Sequence, residues 1–497
     1  MKTIFFLILL LIAPCLTIAE QDALVYLYEP VIGGRQQSMP RRIEIHALNT
    51  EFDAAISLSQ DLLDSAEPLR DADPSTYGQV MINHGILRVA AGDYQLGLSI
   101  IERGMEFLEA RTNPFDEILI NSVMSKGIAQ MLLGSFIEAE DTFRRAQHIT
   151  HRNRGVYNEE QLPMISYLAA TNLRQRDSLA ADQQQRFSLR VAEQSYGPNS
   201  IEILPTLIRL GSYFASRGDT IPLGADTELR LLRNILFKDS INLYFRAIEI
   251  IELNYGVNDL LLLTPLRGLA SARMFEVTQR RYAESALLRS LEIVDSNPNS
   301  GLTDRAQALV DLGDFYIITS DKRGQETYLS AWATLQETPE TQQLASSLFG
   351  SPIRLYPRTP PFLYLDRTPD DASSGDELFA HVQYDVSEVG HVQQIEVIDK
   401  NVPNKGVRLV RQILRASRYR PRIDNGELVS TEALELRQLF AVLYKDPEPY
   451  DEQEEEGRSP VQDALLQDAV PAEEEADTPG EDLLLLEATP AEGENEA

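Results

Sequence analysis

A step of forty-two residues constrains this chain more than any other feature. The passages NHGILRVAAGDYQLGLSI, SKGIAQMLLGSFIEAEDTFRRA and IRLGSYFASRGD each carry a Gly in a helical pattern and a second Gly seven residues later, at a helix-ending turn. The first glycines, Gly85, Gly127 and Gly211, are separated by 42 and then 84 residues; Ala169 fills the midpoint and Gly313 marks a later unit. Ser271 lies 42 residues before Gly313 and 60 after Gly211, a surplus explained by the 18-residue insertion GDTIPLGADTELRLLRNI, near 219–236. Twelve residues downstream of these positions stand Gly97, Ala139, Ala181 and Ala283, and Phe52 with Ala55 extends the register backwards. Small residues at both places let paired helices approach closely. One such hairpin cannot bury its apolar face alone, so the pattern predicts a stack of hairpins sharing a continuous core.

These passages resemble the tetratricopeptide repeat, in the longer-linker form seen in kinesin light chain. YGPNSIEILPTLIRLGSYFASRGD and NYGVNDLLLLTPLRGLA are most similar to that form. The resemblance covers residues 45–338, about six units, after a lead segment at 20–44. It implies a mainly α solenoid whose first helices line a concave groove, with Ile82, Ile86, Met124, Ile128, Ile208 and Ser212 at inward positions. Such a groove would take an apolar partner helix or peptide; ordinary packing between repeats explains the same residues. The Lys and Asn that clamp a C-terminal carboxylate in related repeats are not at those positions.

After Pro357, Pro360 and Pro361 the pattern changes from helix to sheet. Leu378, Ala380, Val382, Tyr384 and Val386 alternate as one face of a strand, Ser387–Gly390 supplies a turn, and Val392, Ile395 and Val397 give a second strand with a break suggesting a bulge. NKGVRLVRQILRASRY then reads as a helix with Val407, Val410, Ile413 and Leu414 inward, and EALELRQLFAVLY as a third strand. The strand–strand–helix–strand order, Tyr356-Pro357 at its start, and Tyr419-x-Pro421 followed by Asn425-Gly426 resemble the C-terminal domain of TonB-like energy transducers, over residues 353–444. The long segment DRTPDDASSGDE before the first strand departs from that family. The resemblance implies a small ββαβ domain that binds extended peptides, such as those of outer-membrane transporters, by adding a strand to its edge. By the same resemblance the docking edge is the last strand, around Leu436, Gln438, Phe440 and Val442. A capped edge that only organises the fold is the other reading.

The ends of the chain bear on where it works. Lys2, the apolar run IFFLILLLIA, and small residues at Thr17 and Ala19 form the pattern of a signal peptide at 1–19, cleaved after Ala19. The alternative is a retained inner-membrane anchor, but the run is short against the roughly 20 residues a span needs, and Pro14 interrupts it. Cys15 is the only cysteine, so the mature chain would hold no disulfide, thiol nucleophile or Cys-bound metal. An exported, cysteine-free, acidic chain suits a bacterial periplasm. The net charge is −31, and 445–497 reads as a disordered acidic tail. That balance repels nucleic acid. Arg408, Arg411, Arg415 and Arg418 form one basic stripe, either a solvated face or a surface for the tail and for outside partners.

No nucleophile elbow, phosphate loop or zinc-protease motif is present. His148 and His151 read as surface histidines, and His381 with His391 as a cross-strand surface pair. The sequence therefore predicts a periplasmic, non-enzymatic interaction scaffold without cofactor, metal or small-molecule substrate, working through protein or peptide partners. The alternative is a component or regulator of TonB-type outer-membrane transport.

Overall fold

The structure is a computed structural model that describes residues 23–33, 37–221, 227–274, 277–357, 363–367 and 378–444. The expected export signal and the acidic tail lie outside the described residues. The helices α1 (Met39–Leu48), α2 (Phe52–Ala66), α3 (Leu69–Ala72), α4 (Pro74–Ala90), α5 (Tyr94–Glu109), α6 (Leu119–Leu132), α7 (Phe136–Arg154), α8 (Leu162–Arg174) and α9 (Ser178–Tyr196) open the chain. They continue as α10 (Leu204–Thr220), α11 (Thr227–Tyr255), α12 (Leu263–Arg273), α13 (Arg280–Ser296), α14 (Leu302–Ile318), α15 (Arg323–Leu335) and α16 (Pro339–Phe349). From α4 onward they pack pairwise as hairpins, α4 on α5 through α14 on α15, and each hairpin packs on the next. The chain is thus a helical-repeat solenoid, and α1 with α2 completes a further hairpin where the sequence indicates half of one.

The small residues lie where the helices come closest. A Cβ at Gly85 would meet the Gly97 carbonyl at 2.9 Å, and one at Gly97 would meet the Gly85 carbonyl at 2.8 Å. In later hairpins an aromatic ring fills the same place: a Cβ at Gly127 would lie 2.5 Å from Phe143, at Gly211 2.8 Å from Tyr244, and at Gly313 2.5 Å from Tyr328. The ring follows its glycine by 16, 33 and 15 residues, and the middle value is long by the length of the insertion. That insertion is not a loop. From Thr227 onward it forms the first turns of the 29-residue α11, with residues 222–226 outside the described residues. Gly92 and Gly134 end their helices with φ of +89° and +83°, a conformation Gly adopts without a Cβ penalty. Gly218 instead sits inside α10 against the Phe237 ring.

The C-terminal module contains β1 (Ile353–Tyr356), β2 (Leu363–Arg367), β3 (Leu378–Val386), β4 (Val392–Lys400), α17 (Asn404–Ala416), β5 (Arg418–Arg420), β6 (Arg422–Asp424), β7 (Glu427–Val429) and β8 (Thr431–Tyr444). The predicted order β3–β4–α17–β8 is present, as a sheet ordered β2-β8-β3-β4. The break in alternation is a bulge: Gln383 pairs with Glu396 and Asp385 with Gln393, and Gln394 between them has φ +49°. Val407, Val410 and Leu414 of α17 are buried against the strongly alternating inner face of β3, and Ile413 is half-buried at its margin.

The two parts share a core. Leu355 and Ile423 are buried in one cluster with Val310, Tyr328 and Phe349 of the last helices. Gly426 at the tip of the β6–β7 hairpin lies against Trp332, the only tryptophan in the chain, within 3.2 Å of where a Cβ would stand. Across this boundary the Arg420 Nε and Nη2 donate to the two Asp314 carboxylate oxygens at 2.9 and 2.7 Å. The Tyr328 hydroxyl donates to the same carboxylate at 2.6 Å, and Arg420 Nη1 donates to the Leu348 carbonyl at 3.2 Å. Burial disfavours the Arg420 charge, yet Asp314 more than offsets this and holds the guanidinium above its ordinary range.

Candidate interaction surfaces

The predicted docking strand is placed differently from the expectation. β8 is an interior strand: β3 pairs antiparallel with it from Thr431 to Phe440, and β2 pairs parallel with it from Phe440 to Tyr444. Phe440 and Val442 therefore have β2 on the flank expected to be open. Leu436 packs on the module's own core, Phe440 is buried in it, and Gln438 is buried with its amide donating to the Leu439 carbonyl. Those side chains pack within the module itself. Between Ala433, whose N–H donates to the Asp385 carboxylate, and the start of β2, no strand among the described residues pairs with the second flank of 434–439. Glu435, Arg437 and Leu439 are exposed on the opposite face of that stretch. The true outer strand on the other side is β4, mostly exposed and bent by its bulge, a device that discourages uncontrolled pairing.

The basic stripe is shorter than predicted. α17 ends at Ala416, so only Arg408, Arg411 and Arg415 lie on it. Arg408 and Arg415 are exposed and Arg411 is half-buried. Arg418 belongs to β5, and its guanidinium turns back to donate to the carbonyls of Arg415, Ala416 and Ser417 at 3.4, 3.4 and 3.0 Å. It satisfies the end of the helix, where a cation is also favoured by the helix dipole.

On the first-helix face, Ile82, Ile86, Met124 and Ile128 are fully buried and so form inter-repeat core, whereas Ile208 is half-buried and Ser212 exposed. The lead segment itself covers this face at α4 and α6. Ala23 is buried in the same cluster, with Leu24, Tyr26, Leu27 and Tyr28 packed on it. Asn83 of α4 accepts the Tyr28 N–H at 2.7 Å and donates to the Tyr28 carbonyl at 2.8 Å. The Tyr28 hydroxyl donates to the Ile118 carbonyl at 2.5 Å and accepts the Ser122 N–H at 3.0 Å. Burial pushes this phenol up to about 12, so it keeps its proton. Ala23–Tyr26 form a 3-10 turn, and the apolar and aromatic run Ala23–Tyr28 is the sequence signal for this contact, whose partner Asn83 lies 55 residues away.

His148 is exposed and His151 is hydrogen-bonded to Gln161 at 2.7 Å. His381 and His391 do not face each other: His381 stands opposite Asp399 and contacts Glu435, while His391 bridges to Arg418. Among the described residues no group of three or more His, Cys, Asp or Glu side chains is placed to hold a metal ion, and no helix is long and apolar enough to cross a membrane.

The fold thus defines a helical-repeat solenoid with an α+β module fused to its last hairpin. Among solved structures the chain is similar to BtubC (BKLC) from P. vanneervenii, at 13% identity over 60% of this chain and 92% of that one, with a TM-score of 0.34. It is also similar to the apo form of the quorum sensor NprR from B. thuringiensis, at 12% identity over 67% of this chain and 97% of that one, with a TM-score of 0.33. No known family's sequence profile matches the chain, and no curated protein sequence does.

Proposed function

We propose that this protein is a non-enzymatic interaction scaffold, exported to the periplasm, that docks an extended peptide segment as an added strand beside β8. The observation that carries the reading is the second flank of 434–439, six residues of strand main chain without a strand partner among the described residues. Strand addition supplies main-chain hydrogen bonds to a strand lying about 4.8 Å away, and the rim side chains then select the partner. Here the rim is Glu435, Arg437 and Leu439, two charges and one apolar group. The TonB-like order of β3, β4, α17 and β8 supports the reading, because that family docks envelope transporters by the same chemistry. The tetratricopeptide-like step supports a scaffold role for the rest. Export rests on the pattern of residues 1–19, and a mature terminus at Glu20 is the expected product.

The test is site-specific photo-crosslinking in the intact cell envelope. Crosslinkers at positions 435, 437 and 439 are expected to trap one common partner, and crosslinkers at 393 and 396 on β4 are not. Trapping from β4 alone, or from none of these positions, contradicts strand addition beside β8.

A further inference from the structure

We infer that the outward face of α17 is the docking site of the chain's own acidic segment 446–456, which lies outside the described residues, and that this segment shields the face from other acidic partners. The charges are lopsided on both sides. From Lys400 to Arg422 the chain carries eight basic residues and no acidic one, whereas 446–456 carries seven acidic residues and no basic one. Val407, Val410 and Leu414 turn inward to the sheet, so Arg408 and Arg415 stand exposed on the other side with Arg411 half-buried between them. Among the described residues none of these three arginines has a carboxylate partner, and the buried Nε of Arg411 has no hydrogen-bond partner. In the solenoid, by contrast, partly exposed arginines are paired from one hairpin to the next, Arg246 with Glu193 and Arg289 with Glu252. The first turn of α17 also holds no acidic residue and no side-chain cap, so the positive end of the helix dipole adds to the same field.

The end of β8 delivers the segment to this face. Lys400 at the end of β4 pairs with Ala380, and Ala380 pairs with Gln438, so β8 runs out of the sheet at the end where α17 begins. The Phe440 ring marks the same proximity, 3.3 Å from where a Cβ at Gly406 would stand, in the first turn of α17. β8 ends at Tyr444, and the next residues include Pro447 and Pro449, which lack the N–H that a ladder needs. α17 has 13 residues and is about 20 Å long. The segment 446–456, extended, reaches about 36 Å, enough to pass Arg408, Arg411 and Arg415 in turn. Each exposed ion pair is weak by itself. The tether makes them act together, because it holds the acids beside the face at an effective concentration in the millimolar range. The α17 face and the 434–439 flank share no residue, so the two sites are tested separately.

The experiment uses the full chain with Cys15→Ser, Gln412→Cys on the exposed side of α17, and Gly457→Cys, labelled with a donor and an acceptor dye. A docked segment predicts strong energy transfer at low salt that falls by about half or more at about 1 M salt, where the Debye length is about 3 Å. A segment that stays clear of α17 predicts the opposite sign, because screening relaxes its self-repulsion and shortens it. Arg408→Glu with Arg415→Glu is expected to abolish the low-salt transfer and, both residues being exposed, to leave the urea midpoint close to that of the parent. Shielding is read with a fluorescent synthetic peptide of residues 446–456. A chain whose seven acids in 446–456 are replaced by Asn and Gln is expected to bind this peptide at least about tenfold more tightly than the parent does. Transfer that rises with salt, or that survives the double charge reversal, overturns the inference, as does equal peptide binding by the two chains. Transfer that appears only between donor-labelled and acceptor-labelled copies overturns docking within one chain and gives the face to the tail of a second copy.

Discussion

Replacing Arg420 by alanine is expected to destabilise the protein by about 3–5 kcal/mol, the range for removing one partner of a buried ion pair. Its side chain is 8% exposed and that of Asp314 is 20% exposed, so the abandoned carboxylate stays largely out of water with only the Tyr328 hydroxyl to support it. The Leu348 carbonyl also loses its donor. Because the pair bridges α14 and β5, the loss is expected to separate melting of the C-terminal module from that of the solenoid. Chemical denaturation followed by circular dichroism should show two transitions where the parent shows one. Arg420→Lys is a poor substitute, since an ammonium cannot make the two parallel bonds that the guanidinium makes. Arg420→Met combined with Asp314→Leu removes both charges and is expected to recover most of the loss. A single alanine variant within about 1 kcal/mol of the parent would show that the ion pair does not hold the modules together.

His84 is expected to give the protein a pronounced acid sensitivity above the range in which carboxylates titrate. It lies 2% exposed in α4, its Nδ1 2.6 Å from the Ser59 hydroxyl. Burial, and then the Arg88 charge, lower its pKa from 6.5 to about 4, against a smaller opposing effect of Asp64. The folded state thus holds the ring neutral while the unfolded chain protonates it near 6.5. The stabilisation is complete above the unfolded value and is lost as pH falls toward the folded one. By linkage the loss amounts to about 1.4 kcal/mol at pH 5.5 and approaches about 3 kcal/mol near pH 4. Urea unfolding at pH 7.5 and 5.5, both above the pI of about 4.6, measures it. His84→Gln, which keeps a partner for Ser59 but does not titrate, should lose about 1.4 kcal/mol less between those two values. Equal losses in the two proteins would mean that the ring is protonated in the folded state.

The solenoid was legible because its geometry demands a small residue, Gly, Ala or Ser, at the same place in successive hairpins. Gly127 and Gly313 each meet a ring on the following helix, and no larger residue fits there without moving that ring. The module's strands were legible where one face is buried and the other is not, as in β3. Long-range pairings were not. Arg420 and Asp314 lie 106 residues apart, and each looks like an ordinary charge in its own stretch. β2 carries no alternation strong enough to announce that it closes half of the β8 flank, so Phe440 and Val442 looked open when they are not. Arg418 continued the helical spacing of the basic stripe but fell beyond the helix end, where β5 begins. The lead segment was opaque for another reason: a single 3-10 turn followed by irregular chain is too short to show a period, and its place depends on Asn83 and Ser122 of helices far along the chain.

Hydrogen–deuterium exchange on the full chain, with and without the peptide segment trapped by crosslinking, tests the central claim most directly. The ion pair between Arg420 and Asp314 ties β5 of the module to α14 of the solenoid, so the measurement uses the full chain. Strand addition predicts that amides within 434–439 become protected when the segment binds, while those of β4 at 392–400 exchange as before. Protection confined to β4, or binding that leaves 434–439 unprotected, would contradict it.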